Sequence, residues 1–205
     1  MKKDKVLIII PAYNEEENIK KVYDGIIKYN KLNKTNYDVI VINDGSRDST
    51  EEILCKNNIP HIKLIHNLGI GGAVQTGYKY ALENGYDIAI QFDGDGQHDI
   101  SYVKDIIKPI LLNKADMVIG SRFIDDSTSD FKSSFARRVG INVISSVIKL
   151  KTGVKIFDTT SGFRAINRTV LEIFSNDYPR EYPEPISTVN ILCNGLNVSE
   201  VGVSM

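Results

Sequence analysis

The hydrophobic positions of this chain fall into short continuous runs separated by amphipathic stretches. Val6–Ile10 is apolar without interruption, the signature of a strand buried on both faces. After it, Glu15–Tyr29 places Ile19, Val22, Tyr23, Ile26 and Ile27 at helical spacing. Tyr37–Asn43 predicts a second strand, and Ser49 with Glu52 has capping-box spacing for a short helix through Leu54. His61–Ile65 predicts a third strand and Gly71–Glu83 a helix with Val74, Tyr78, Ala81 and Leu82 on one face. Tyr86–Phe92 predicts a fourth strand. Asp99 is placed to cap a helix carrying Val103, Ile106, Ile107, Ile110 and Leu111, and Ala115–Gly120 predicts a fifth strand.

Repeated βα units imply an α/β fold, a Rossmann-like, mostly parallel sheet with helices on both faces. Ligands of such sheets bind beyond the carboxyl ends of the strands. Pro11–Glu15, Asn43–Ser46, Asn67–Gly72, Asp93–His98 and Ser121–Arg122 all fall at that edge. Past Arg122 the pattern changes. Ile124–Lys132 reads as a polar loop, and Ser133–Lys151 as a helix with Phe135, Val139, Val143 and Val147 as its stripe. Asp158–Ala165 reads as a turn then a strand, Thr169–Phe174 as a short helix, Tyr182–Pro185 as a proline-rich turn, Ile186–Cys193 as a helix and Leu196–Val203 as a last strand. Without a linker or repeat, residues 1–205 are expected to form one domain, with a nucleotide-sugar-binding half (1–120) and an acceptor-side half (121–205).

At 205 residues with 42% hydrophobic and 25% charged residues, the chain can bury an ordinary globular core. A net charge of -1 gives no global pull toward nucleic acid, which is not an expected partner. Cys55 and Cys193 lie far apart without CxxC or Cys/His spacing. That argues against a disulfide framework or a zinc site and predicts two small buried residues. No run approaches the ~20 apolar residues of a spanning helix, and the apolar start breaks at Pro11 too early for a signal peptide. A cytoplasmic protein is expected. Between Phe131 and Lys155, however, stand six basic residues (Lys132, Arg137, Arg138, Lys149, Lys151, Lys155) and no acid. A basic amphipathic helix suits peripheral contact with the inner face of a membrane or with a phosphorylated acceptor. A solvated outer face is the plain alternative.

The densest chemistry lies in Asp93-Gly94-Asp95-Gly96-Gln97-His98, directly after the fourth strand. Two carboxylates aimed at one spot repel unless something positive lies between them. A divalent cation resolves the conflict, with the amide oxygen of Gln97 as a third ligand. Oxygen donors favour Mg²⁺ or Mn²⁺ over zinc. A calcium EF-hand does not fit, because the loop's sixth and twelfth positions are His98 and Lys104 instead of Gly and Glu. A simple turn is the alternative that the tripeptide alone leaves open.

Six segments, in order and across nearly the whole chain, resemble the inverting GT-A glycosyltransferases of family 2. The closest resemblance is to the branch that transfers mannose or glucose to polyprenyl (dolichyl) phosphate. They are Ile10-Pro11-Ala12-Tyr13-Asn14-Glu15, Val41-Ile42-Asn43-Asp44-Gly45-Ser46, Asn67-Leu68-Gly69-Ile70-Gly71-Gly72-Ala73, Asp93 to His98, Gly120-Ser121-Arg122 and Thr160-Ser161-Gly162-Phe163-Arg164. The resemblance implies a GDP- or UDP-sugar donor and a polyprenyl-phosphate or cell-surface glycan acceptor. It places Pro11, Tyr13 and Glu15 at the nucleoside and gives Asp44 the hydrogen bonds of base or ribose. Asp93, Asp95 and Gln97 would hold Mg²⁺ or Mn²⁺ against the donor diphosphate. Arg122 would clamp donor phosphates, and Arg138 or Arg137 would contact a donor or acceptor phosphate. Gly71, with Gly69 and Gly72, would allow close backbone approach on the nucleotide-sugar side.

A hydroxyl acceptor needs a general base, for which Asp158 and Glu184 are the candidates; an ionised lipid phosphate needs none. Related sequences often carry a second acid after Tyr-Pro-Glu-Pro, where this chain has Ile186, and the chain stops at Met205 without the family's usual downstream segment. A soluble member and a truncated chain are both readings of that end. Two other functions remain. A catalytically impaired nucleotide-binding regulatory subunit would keep the fold without turnover. A sugar-nucleotide nucleotidyltransferase would need a Gly-rich, basic phosphate loop after the first strand, which Pro11–Glu15 lacks.

Overall fold

The computed structural model describes residues 4–124 and 135–204, the side chains of 135–143 excepted. Its strands are β1 (Val6–Ala12), β2 (Tyr37–Asn43), β3 (His61–Lys63), β4 (Ile88–Gln91), β5 (Met117–Ser121), β6 (Arg164–Asn167) and β7 (Val198–Gly202), in one sheet of spatial order β3-β2-β1-β4-β6-β5-β7. The helices are α1 (Ile19–Asn33), α2 (Thr50–Lys56), α3 (Gly69–Glu83), α4 (Val103–Leu111), α5 (Phe135–Thr152), α6 (Arg168–Asn176) and α7 (Pro183–Cys193).

Every residue of β1 is buried, as its unbroken apolar run requires of a central parallel strand. Its side chains alternate between two cores. Ile8 and Ile10 pack with Ile19 and Ile26 of α1 and with Val103 and Ile106 of α4. Leu7 and Ile9 pack with Val74 and Tyr78 of α3 and with Leu171 and Phe174 of α6. Each such side chain contributes about 2 kcal/mol by leaving water, so truncating one to Ala costs about 2–5 kcal/mol once the cavity is included.

One strand runs against the expected grain. β6 lies antiparallel between β4 and β5, pairing Gln91 and Ile119 with Arg164. This reversal brings the start of β6, with the Thr160–Arg164 motif, to the same edge as the ends of its parallel neighbours.

Local chemistry moved several boundaries. The Ser49/Glu52 capping box does not form: Asp48 Oδ1 accepts from Thr50 N at 3.0 Å, Ser49 N donates to Glu16 Oε2 at 2.8 Å, and the Ser49 side chain caps nothing. A carboxylate is the stronger acceptor there. Asp99 does cap, accepting from Ser101 N at the start of a 3₁₀ turn that runs into α4. α1 begins at Ile19 instead of Glu15, since the acidic run first winds a turn whose Asn18 and Ile19 amides donate to Glu15 O. The proline-rich turn belongs to α7. Pro183 opens the helix, where an amide has no partner anyway.

Of the expected α5 stripe only Val147 has a described side chain, and it does not face the core. Ile144 and Ile148 face the core while Val147 is 58% exposed; Phe135, Val139 and Val143 lie outside the described side chains. Both cysteines are exposed, against the expectation of burial. No helix among the described residues is long and apolar enough to cross a membrane.

Candidate active site

The loops after β1 and β2 hold each other. Asn14 N donates to Ser46 Oγ, Arg47 N returns a bond to Asn14 Oδ1 at 2.8 Å, and Glu15 N donates to Thr50 Oγ1. Asn14 takes a left-handed backbone (φ 57°), which its short polar side chain tolerates. From this brace Tyr13 projects with 42% of its surface open. Asp44, at the end of β2, is nearly buried and accepts from Leu68 N at 2.7 Å. Burial pushes its carboxyl above the usual range, against the opposing pull of the Leu68 and Gly69 amides. Between these elements lies a cleft of about 440 Å³, lined by Pro11, Tyr13, Glu15, Asp44, Asn67, Ile70, Asp93 and Asp95 among others. Gly71 is not on this wall; a Cβ there would lie 2.3 Å from Pro179 O, so its bare face seats the Pro179–Arg180 backbone.

Two of the lining residues are the paired carboxylates. Asp93 is half-buried and closely supported. Its backbone amide donates to His98 Nδ1 at 3.0 Å, and its Oδ2 lies 3.5 Å from His98 Nε2. Burial lowers the His98 pKa despite Asp93 and Asp95 nearby, and the acceptor role of Nδ1 puts the ring proton on Nε2, facing Asp93. The ring stacks on Phe163 at 4.8 Å. Gln91 Nε2 lies 3.4 Å from Asp93 Oδ1, and the buried Gln91 Oε1 has no hydrogen-bond partner among the described residues. On the last side stands Gly162, where a Cβ would come within 2.6 Å of Asp93 Oδ2. Asp95 is exposed and accepts Gln97 N. Gln97 does not join the pair on the cleft wall. With Asp95 and His98 it lines a neighbouring cavity of about 500 Å³ beside α1. Among the described residues, no group of three His, Cys, Asp or Glu ligand atoms gathers around Asp93 and Asp95.

The remaining candidates are tied to one another. Arg122 forks onto Asp158, with Nε to Oδ2 at 2.7 Å and Nη2 to Oδ1 at 2.8 Å, and Nη2 also reaches Thr160 Oγ1. Asp158 is fully buried, and its guanidinium partner holds its pKa below the usual range in spite of the burial. Both oxygens of Asp158, a candidate general base, are engaged by the Arg122 guanidinium. Glu200 of β7 accepts the amides of both Phe157 and Asp158 at 2.8 Å.

Glu184 is the contrasting acid. Burial raises its pKa, Asp93 adds to the rise, and Arg164 and a Gln91 hydrogen bond oppose it. Arg164, itself 1% exposed, donates to Ser161 O, to Glu184 O and to the hydroxyls of Ser187 and Thr188, joining α7 to the sheet edge. Arg138 lies outside the described side chains. Gln91, His98, Gly162, Arg164 and Glu200 had no assigned role; an arginine and a glutamine inside strand runs were the available signals.

The profile of glycosyl transferase family 2 matches residues 7–174. UDP-N-acetylglucosamine–dolichyl-phosphate N-acetylglucosaminyltransferase of Methanococcus voltae is 35% identical over 219 residues, covering 97% of this chain and 84% of that protein. Dolichol-phosphate mannosyltransferase of Pyrococcus furiosus is 31% identical across 82% of this chain and 47% of its own length. Glucosyl-3-phosphoglycerate synthase from Mycobacterium tuberculosis, solved with Mn²⁺, UDP and phosphoglyceric acid, matches with TM-score 0.74 at 20% identity, over 97% of this chain and 68% of that one. That last likeness concerns the fold alone. Sheet, motifs and profile agree: the chain belongs to glycosyl transferase family 2 and is a glycosyltransferase with the GT-A fold.

Proposed function

We propose that this glycosyltransferase moves a sugar from a UDP-linked donor to a polyprenyl phosphate, inverting the anomeric carbon, with Mg²⁺ or Mn²⁺ held by Asp93 and Asp95. The observation that carries the reading is the cleft, whose lining brings Tyr13 and Asp44 together with the carboxylates of Asp93 and Asp95. The donor set fits a hard cation: oxygen ligands only, one carboxylate held in place by His98 and Gly162, the other open to solvent. Two protein ligands leave positions for phosphate oxygens and water. Uridine is favoured over guanosine by the M. voltae relative, whose name gives UDP-N-acetylglucosamine as its donor.

Bound there, the cation would neutralise negative charge on the departing diphosphate. The chain's own residues do the rest. Tyr13 packs against base or ribose, and Asp44 accepts their hydrogen bonds. The Arg122–Asp158 pair anchors the 158–162 turn whose Gly162 leaves room for Asp93. An ionised lipid phosphate attacks without a base. Lipid as the acceptor's carrier is supported at α5 and the turn after it, where Val147, Leu150 (90% exposed), Val154 and Phe157 stand among Lys149, Lys151 and Lys155. A second reading, a glycan hydroxyl with Glu184 as base, is favoured by the raised Glu184 pKa.

Transfer from a panel of UDP-sugars to polyprenyl phosphate in vesicles tests the proposal. Asp95→Ala is expected to lose about 10²-fold or more in turnover while keeping the wild-type melting temperature. Near-wild-type transfer at saturating donor would sink the metal assignment, and transfer to a glycan but to no lipid phosphate would select the second reading.

A further inference from the structure

Away from the cleft, on the sheet's β3 edge, three side chains of different chemistry converge. Glu51 and Cys55 stand four apart on one face of α2, and His61 opens β3. Glu51 Oε1 lies 3.6 Å from His61 Nε2, and Cys55 Sγ lies 3.9 Å from both. All three atoms fall within 4.8 Å of one another, the one such gathering of His, Cys, Asp and Glu among the described residues.

We propose that Glu51, Cys55 and His61 form a zinc site. At 3.6 Å the Glu51–His61 approach is too long for a hydrogen bond. A tetrahedral zinc with its usual bond lengths sets S···N and S···O edges of about 3.5 Å and an N···O edge of about 3.3 Å. The observed triangle is only slightly wider, so small side-chain movements close it. The imidazole is also prepared. His61 Nδ1 lies 2.7 Å from Ile59 O, so it donates its proton there and turns the Nε2 lone pair toward Glu51 and Cys55. A carbonyl orienting the far nitrogen is the usual support of a metal-bound histidine.

Glu51 is supported in the same way, its Oε2 accepting from Asn43 Nδ2 at 2.6 Å. Lys63 Nζ is 3.6 Å from Glu51 Oε1 on a side chain 55% exposed, free to swing into water as a dication takes its place. A thiol-hydrolase triad does not fit, because the carboxylate faces the same imidazole nitrogen as the thiol. The mixed S, N, O set selects zinc over magnesium. Cys55 is exposed, giving the ion a way in and leaving the fourth position to water. Binding releases the thiol proton to solvent.

The test uses the whole chain, stripped by chelator and titrated with Co²⁺ as a visible probe. The expected result is one Co²⁺ per chain with a sulfur-to-cobalt charge-transfer band and tetrahedral d–d absorption. Added Zn²⁺ should bleach both and raise the melting temperature. Cys55→Ser should abolish the charge-transfer band and His61→Ala should weaken binding at least about tenfold, while Cys193→Ser and Asp95→Ala keep the spectrum. Far-UV circular dichroism verifies that each variant is folded. Absence of the band, or its persistence in folded Cys55→Ser, overturns the site, as does a zinc-induced melting shift that Cys55→Ser leaves unchanged.

Discussion

The first four strands and the last three use charged motif residues in opposite ways. Around β1 and β2 the amides of Asn14, Glu15 and Arg47 are braced by the neutral side chains of Ser46, Thr50 and Asn14, and of the charged motif residues Asp44 is tied down, by Leu68 N. Tyr13 and Asp95 are exposed at the cleft and Asp93 is half-buried. Around β5, β6 and β7 the charged side chains are themselves the brace. Arg122 is bound to Asp158, the Asp158 amide to Glu200, and Arg164 to α7. Motifs of equal prominence along the chain therefore sit differently, one group lining the cleft and the other tied to its neighbours around the 158–162 turn.

The largest expected effect falls on the second region. Asp158→Ala leaves the guanidinium of Arg122 buried without its carboxylate, a loss of about 3–5 kcal/mol, measurable by urea unfolding. The pair also sets an acid limit. Because the folded pKa of Asp158 lies below its ordinary 3.8, its stabilisation is complete above that value and disappears as pH falls through the lower, folded pKa. Asp158→Asn should therefore flatten the acid limb of a stability–pH curve, and an unchanged limb would show that the ion pair contributes nothing.

Next comes Glu184, where the two regions meet. Its folded pKa is raised above 4.5, so wild-type stability should fall as pH climbs from there through the folded value. Glu184→Gln should remove that decline. With a phosphate acceptor the same variant should lose less than tenfold in turnover, whereas a loss of about 10²–10⁴-fold would make Glu184 the base. Smallest in its effect on the fold is Leu150→Glu, at 90% exposure expected to shift stability within about 0.5 kcal/mol. It should nonetheless reduce cosedimentation with anionic vesicles; undiminished binding would remove α5 from the membrane surface.

Which parts were legible in the chain follows from the same contrast. A continuous apolar run located β1, because burial on both sides leaves no other pattern, and helical spacing located the buried face of α3. That Asp93, Asp95, Tyr13 and Asp44 share one edge of the sheet was readable because they sit on short loops at strand ends. The reversed direction of β6 was not, since strand polarity depends on where α5 delivers the chain and not on local composition. Nor could the pairing of Arg122 with Asp158 be read, because 36 residues separate them. Cys55 seemed inert for the same kind of reason. Its neighbours come from a helix turn and a strand that only folding brings together.

Calorimetry with a panel of nucleoside diphosphates, with and without Mn²⁺, tests the central claim most directly. The account predicts that UDP binds with Mn²⁺ at least about tenfold more tightly than in chelator, and that Asp95→Ala removes the difference. UDP binding of equal strength with and without the metal, or no binding by any nucleoside diphosphate, would contradict it.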